Sequence, residues 1–347
     1  MKLPALHPRF FGLTFLLSLA ALTALQCLLL TVVNPRRYFG SSDAFPQVFT
    51  NSRRVKTEAF LRFQQEAPVT GLILGSSRSM LLAPAEFDRR TGLRFFNGGV
   101  FAGTAEDFLS VYRFARAQGQ HPQVVVLGLD PAAIFEGSPS EELAANFALA
   151  SALEPPAAGP LAWWWHQLKL YKKMLRLQSL VEIATSLHLW RNPPEERNHF
   201  YADGQLHEQT TEKAIQTGRY DFRRENERSR QRMLESLRNS KGLSARRTRM
   251  VEQLIQEAQA DHARVIVWMP PLHPALRQSL TALPEARAAD EHARDFTLSL
   301  RQRYAVQVID LTDPGAFGGN PDRWYDAIHP SPQDADKIAR QLAAYGI

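Results

Sequence analysis

The sequence predicts an α/β three-layer sandwich built on a central parallel sheet of about five strands, with a helical insertion and an N-terminal transmembrane helix. Three observations predict it. Apolar, β-branched runs without polar alternation recur at 69–74, 93–96, 123–127, 263–269 and 305–309. Such runs belong to strands buried on both faces, and hence to a parallel sheet. Helical stretches at 105–118, 244–260, 284–304 and 332–345 separate them, and this alternation places helices on both sides of an open sheet. The third observation is an uncharged stretch at 10–33, in which only Gln26 is strongly polar.

That stretch comes first in the chain. At about 1.5 Å per residue it crosses a hydrocarbon core of roughly 30 Å with some tilt. A secretory signal would be shorter and followed by a small-residue cleavage pattern, whereas Asn34-Pro35-Arg36-Arg37 follows here. Cys27 invites a lipoprotein reading, but Gln26 before it is too large and polar for that signal. An uncleaved anchor is expected, behind a cytoplasmic tail at 1–9. The charge count, with Arg36, Arg37, Arg53, Arg54 and Lys56 after the span, favours a cytoplasmic bulk. Large domains, however, translocate largely regardless of charge, so topology stays open on this ground.

With 347 residues, 44% apolar and 22% charged, the chain can bury a sizeable core. Its net charge of +6 is spread along the sequence. That suits an anionic membrane or polymer surface and selects no partner by itself; nucleic acid is not an expected partner. The only cysteine lies in the span, so the soluble part has no disulfide framework.

After the span, 34–66 reads as a juxtamembrane connector with a short amphipathic helix near 55–65, and 67–347 as the main domain. An insertion at about 137–243 interrupts that domain. It carries Trp163-Trp164-Trp165 and then a Lys/Leu-rich segment with Lys169, Lys172, Lys173 and Arg176. Two readings stand: a helical subdomain on the sheet, or a basic, Trp-flanked helix on the membrane surface or on a membrane partner. His188, His199 and His207 lack metal-ligand spacing, and neither metal nor cofactor is expected.

Three short blocks carry the chemistry. Gly75-Ser76-Ser77 follows the first strand, where open α/β sheets place ligands; a serine here is either a helix cap or a nucleophile. Asn97-Gly98-Gly99 ends the second strand, and glycines there let the backbone approach a ligand. Asp326 and His329 stand three apart near the C-terminus. A carboxylate at that offset can hold the imidazole through Nδ1–H and leave Nε2 to take a proton from a serine.

In order and spacing, these blocks resemble the SGNH (GDSL-like) hydrolase superfamily, over about 67–136 and 244–347. The resemblance implies a flavodoxin-like fold with Ser77 as nucleophile, His329 as general base and Asp326 orienting it. It also implies an oxyanion hole from the N–H groups of Ser77 and Gly99 and from the position of Asp130, with Arg78, Asn97 and His273 lining the substrate site. Two departures stand out: Ser76 replaces the family's usual Asp, and Asp130 replaces its oxyanion-hole Asn. A carboxylate there repels a developing oxyanion unless it is protonated or turned aside, for instance onto Arg78. A looser likeness rests on the span, Gly75-Ser76-Ser77, Pro270-Pro271-Leu272-His273 and Asp326-Ala327-Ile328-His329-Pro330. By these the chain resembles membrane-anchored proteins of teichoic acid D-alanylation and alginate O-acetylation. That likeness implies an extracytoplasmic (periplasmic) domain on the inner membrane, an acylated glycan or polymer substrate and a polytopic O-acyltransferase as partner.

Overall fold

The computed structural model describes residues 8–39, 44–154 and 161–345. Among these the chain divides into two compact units: 52–144, 148–154 and 196–345 form the larger, and 8–39, 44–51, 145–147 and 161–195 the smaller.

The larger unit contains β1 (Gly71–Leu74), β2 (Phe95–Asn97), β3 (Val124–Gly128), β4 (His199–Phe200), β5 (Leu206–His207), β6 (Arg264–Met269) and β7 (Gln307–Asp310). Five of them make one parallel sheet in the order β2-β1-β3-β6-β7. Counted along the chain this is 2-1-3-4-5, the flavodoxin-like doubly wound order. Period-two alternation divides the side chains between two cores. Leu72, Leu74, Val125, Leu127, Val265 and Val267 pack under helices Ala105–Ala117 and Ala245–Ala260. On the other face Ile73, Val126, Ile266 and Trp268 meet Phe87, Ile338 and Leu342, from helices Pro84–Thr91 and Pro332–Ala344. Each apolar run found in the sequence is a strand of this sheet, and no end is displaced by more than two residues.

Two differences bear on the site. The expected connector at 34–66 ends at Asn51, because the helix Ser52–Glu66 buries Phe60 and Phe63 in the larger unit's core. The insertion at 137–243 is not wholly helical. Around Gly204, which has φ +87°, β4 and β5 pair as an antiparallel hairpin.

The smaller unit holds α1 (Pro8–Val33), of which Phe11–Val33 is long and apolar enough to cross a membrane by length and composition. Residues 1–7 of the expected tail lie outside the described residues. Helices Ala162–Met174 and Leu177–Arg191 pack on the C-terminal end of α1, with Leu170, Met174 and Ile183 against Leu30 and Val33. Arg36 grips Glu182 through two hydrogen bonds of 2.6 and 2.7 Å.

Candidate active site

The C-terminal ends of β1 and β3 flank the point where the strand order reverses, and the crevice there is where doubly wound sheets bind ligands. β1 leaves through Gly75 at φ +145°, where a Cβ would overlap the Ser79 side chain. Ser76 then caps the short helix Ser77–Met80, accepting from the Arg78 N–H at 3.4 Å. Ser77 opens that helix and is half-buried, while Ser76, Arg78 and Ser79 are buried. The turn therefore offers one hydroxyl to the outside.

That hydroxyl meets His329: Ser77 Oγ lies 2.8 Å from His329 Nε2. On the far side of the ring, His329 Nδ1 lies 2.8 Å from Asp326 Oδ2. A carboxylate only accepts, so the proton sits on Nδ1 and the Nε2 lone pair faces the serine. Asp326 Oδ1 also accepts the N–H groups of Ile328 and His329, both at 2.8 Å, which fixes the carboxylate within its own turn. Burial by itself would raise the Asp326 carboxyl. The imidazole and the two N–H donors outweigh it and hold the group below its ordinary value. The arrangement is a hydrogen-bonded Ser–His–Asp chain able to pass a proton from Oγ to Nε2.

The expected oxyanion hole is different. Gly99 N–H donates to Asn97 Oδ1 at 3.0 Å, so it is occupied. Asn97 is fully buried and not a substrate contact: its Nδ2 donates to the carbonyls of Ser79 (2.8 Å) and Leu82 (2.9 Å), clamping the helix of Ser77 to the end of β2. Asp130 is engaged as an acceptor, receiving the Ser76 hydroxyl and pairing with the Arg78 guanidinium. Arg78 is likewise buried and committed to Asp130, with a further hydrogen bond of 3.4 Å to the Pro271 carbonyl, and it lines a cavity of about 550 Å³ with Asp290 and Arg294. Of the three expected donors the Ser77 N–H remains. His273 serves as a helix N-cap, its Nδ1 accepting from Ala275 N–H at 3.1 Å. Its ring lies 5.9 Å from that of Trp324 and lines a cavity of about 560 Å³ with Asn226 and Asp322.

Several neighbours of the triad come from the insertion and escaped the sequence reading. Glu208 follows β5 and is held by Asn198 Nδ2 at 2.5 Å and Thr211 Oγ1 at 3.2 Å. Burial raises its carboxyl, against the attraction of the His329 ring nearby. Tyr220 donates to the Tyr325 carbonyl at 2.5 Å, bracing the turn that carries Asp326. Tyr325 Oη lies 3.2 Å from Glu212 Oε1, and Glu212 Oε2 lies 3.0 Å from His207 Nε2. The available signal was Asp203-Gly204 between two apolar–aromatic pairs, a hairpin turn pattern.

Sheet order, a serine after the first strand and an Asp–His pair before the last helix now stand together. The chain has the flavodoxin-like, doubly wound fold that the SGNH (GDSL-like) resemblance implies. Neither a protein-family model nor a curated protein matches the sequence. Among solved structures, a presumptive acylhydrolase of Bacteroides fragilis is 12% identical, with a TM-score of 0.37 over 88% of this chain and 97% of its own. A GDSL-like lipase of Bacteroides thetaiotaomicron is 10% identical, with a TM-score of 0.36 over 86% and 98%. These likenesses are too distant to bear on chemistry, which rests on the residues above.

Proposed function

We propose that this SGNH-like chain is a membrane-anchored serine esterase or acyltransferase acting on O-acyl groups of a cell-envelope glycan or related polymer. The Ser77–His329–Asp326 chain, with both links at 2.8 Å, carries the reading. In the first half-reaction Ser77 Oγ attacks the acyl carbonyl and its proton passes to His329 Nε2. Collapse of the tetrahedral intermediate breaks the ester bond, and the same proton goes to the leaving alkoxide, leaving acyl-Ser77. In the second half, a hydroxyl of sugar or water gives its proton to His329 Nε2 and attacks the acyl carbon; the Ser77 ester bond breaks, and the proton returns to Ser77 Oγ. With one backbone donor for the oxyanion instead of three, unactivated esters react slowly; each lost donor costs about 100- to 1000-fold. That favours a protein working on an activated donor or a tightly held acceptor over a broad, fast esterase.

The apolar helix α1 supports placement on the inner membrane, and the likeness to envelope acylation proteins supports an extracytoplasmic domain beside a polytopic O-acyltransferase. A second reading, a polysaccharide-binding relative without activity, draws on the Asp130–Arg78 pair that fills the place of an oxyanion donor. Labelling separates the two. Full-length protein in detergent is treated with a fluorophosphonate probe and its mass measured. One adduct on wild type, absent from Ser77→Ala and weakened in His329→Ala, is the expected result. A folded wild type that stays unlabelled refutes the catalytic reading.

A further inference from the structure

The smaller unit exposes more apolar surface than a water-facing element has use for. Along helix Ala162–Met174 and its flanks, Leu161, Trp164, Leu168 and Leu175 fall on one stripe by helical spacing, and all are exposed, Trp164 to 65%. Lys169, Lys172 and Lys173 run beside that stripe. On helix Leu177–Arg191 the exposed stripe is Leu177 (82%), Leu180, Val181 and Ala184. Apolar patches of this kind mark a protein or membrane contact.

The buried sides of the two helices identify the contact. They face the last turns of α1, through Leu30 and Val33. Gln26 Nε2 donates to the Arg176 carbonyl at 3.1 Å, at the break between the helices, and Thr31 Oγ1 meets Tyr171 Oη at 2.5 Å. The outer stripes therefore continue the exposed apolar surface of α1, where Leu25, Leu28 and Val32 also point outward. With 13 and 15 residues, neither helix is long enough to cross roughly 30 Å of hydrocarbon. Tryptophan and flanking lysine are the side chains that settle between acyl chains and anionic headgroups.

We propose that the hairpin of Ala162–Met174 and Leu177–Arg191 lies in the plane of the bilayer interface as a second membrane element, clasping the end of α1. The proposal rests on α1 spanning the membrane. It goes beyond anchoring, because a hairpin fixed to the span and seated in lipid restricts how the span can rotate and tilt.

The tryptophans provide the test. Four of the six, Trp163, Trp164, Trp165 and Trp190, belong to the hairpin, and none lies in α1. The other two, Trp268 and Trp324, are buried in the larger unit. Full-length protein is reconstituted into phosphatidylcholine–phosphatidylglycerol vesicles, plain or with phosphatidylcholine brominated near the head of its acyl chain. Bromine quenches tryptophans at that depth, so emission is expected to fall by about half. Most of that loss should vanish in the triple variant Trp163→Phe, Trp164→Phe, Trp165→Phe. Equal emission from both vesicles, in protein that floats with them, overturns the hairpin's lipid contact and assigns the patch to another protein. Protein that fails to float overturns the span itself, and the proposal with it.

Discussion

Replacing Asp130 by asparagine puts the usual family residue back in the third block, and a reading from sequence expects a faster enzyme. The structure expects a weaker fold. Asp130 and Arg78 are 5% and 3% exposed and paired with each other, and Ser76 donates to the same carboxylate. An amide in that place removes the carboxylate paired with the buried guanidinium, whose other nearby anions are Asp290 and Asp326. Breaking a buried pair by removing one partner costs about 3–5 kcal/mol. For a unit of this size each kcal/mol moves the midpoint by about 2–4 °C, so a fall of roughly 10 °C is expected. Turnover should not rise, because the new amide stays between Ser76 and Arg78 and never faces the Ser77 carbonyl adduct. The assay is thermal unfolding of the detergent-solubilised protein, alongside hydrolysis of an activated acetyl ester. The double variant Arg78→Met, Asp130→Leu should recover part of the lost stability, since an apolar pair carries no desolvation cost. An Asp130→Asn protein as stable as wild type and about 100-fold faster would refute the reasoning, because its side chain would then stand in the oxyanion hole.

Asp326→Asn should lower turnover by about 10⁴-fold with the fold intact, because the amide holds the wrong tautomer of His329; matched far-UV spectra and rates check it. The Asp326 carboxyl is held below its usual 3.8 in the folded protein. Its contribution to stability is therefore complete above that value and is lost as pH falls through the folded one, a loss that the asparagine variant should not share in acid unfolding. Lys56 is buried, donating to the Asn97 carbonyl at 2.7 Å and to that of Gly204, and burial lowers its ammonium well below 10.5. Since the unfolded chain binds the extra proton, stability should rise with pH up to the unfolded value of 10.5, and Lys56→Met should remove that slope in denaturant titrations. Gly204→Ala forces a side chain into a positive-φ turn and against the Asn97 carbonyl. A loss of about 1–3 kcal/mol is expected by chemical denaturation, together with slower probe labelling of Ser77.

The five sheet strands and the Asp326–His329 pair were legible because their signals are local. A buried parallel strand announces itself by consecutive β-branched residues, and a carboxylate three residues before a histidine can reach Nδ1 within one turn. The oxyanion hole was not legible. Gly99 stands at the expected place after β2, yet its N–H is taken by Asn97, whose orientation depends on the Ser79 and Leu82 carbonyls from another segment. Glu208 and Tyr220 carry no motif, and they neighbour the triad because the β4–β5 hairpin docks its turn on β2, with Asn97 N–H donating to the Asp203 carbonyl at 2.8 Å. The cap that His273 forms, with its Nδ1 accepting from Ala275 N–H, was likewise not signalled by its strand exit.

Ser77 was the nucleophile only by family resemblance, whereas the sequence by itself determined the parallel sheet, the apolar helix before it and the Asp326–His329 spacing. Those follow from periodicity, length and short-range reach. The tertiary structure alone decided which polar groups near the serine are already spent. Arg78, Asp130, Asn97 and Gly99 come from three strand ends that meet only on folding, and each buried donor or acceptor must find a partner there. In this protein they satisfy one another, leaving Ser77 and His329 to face the outside.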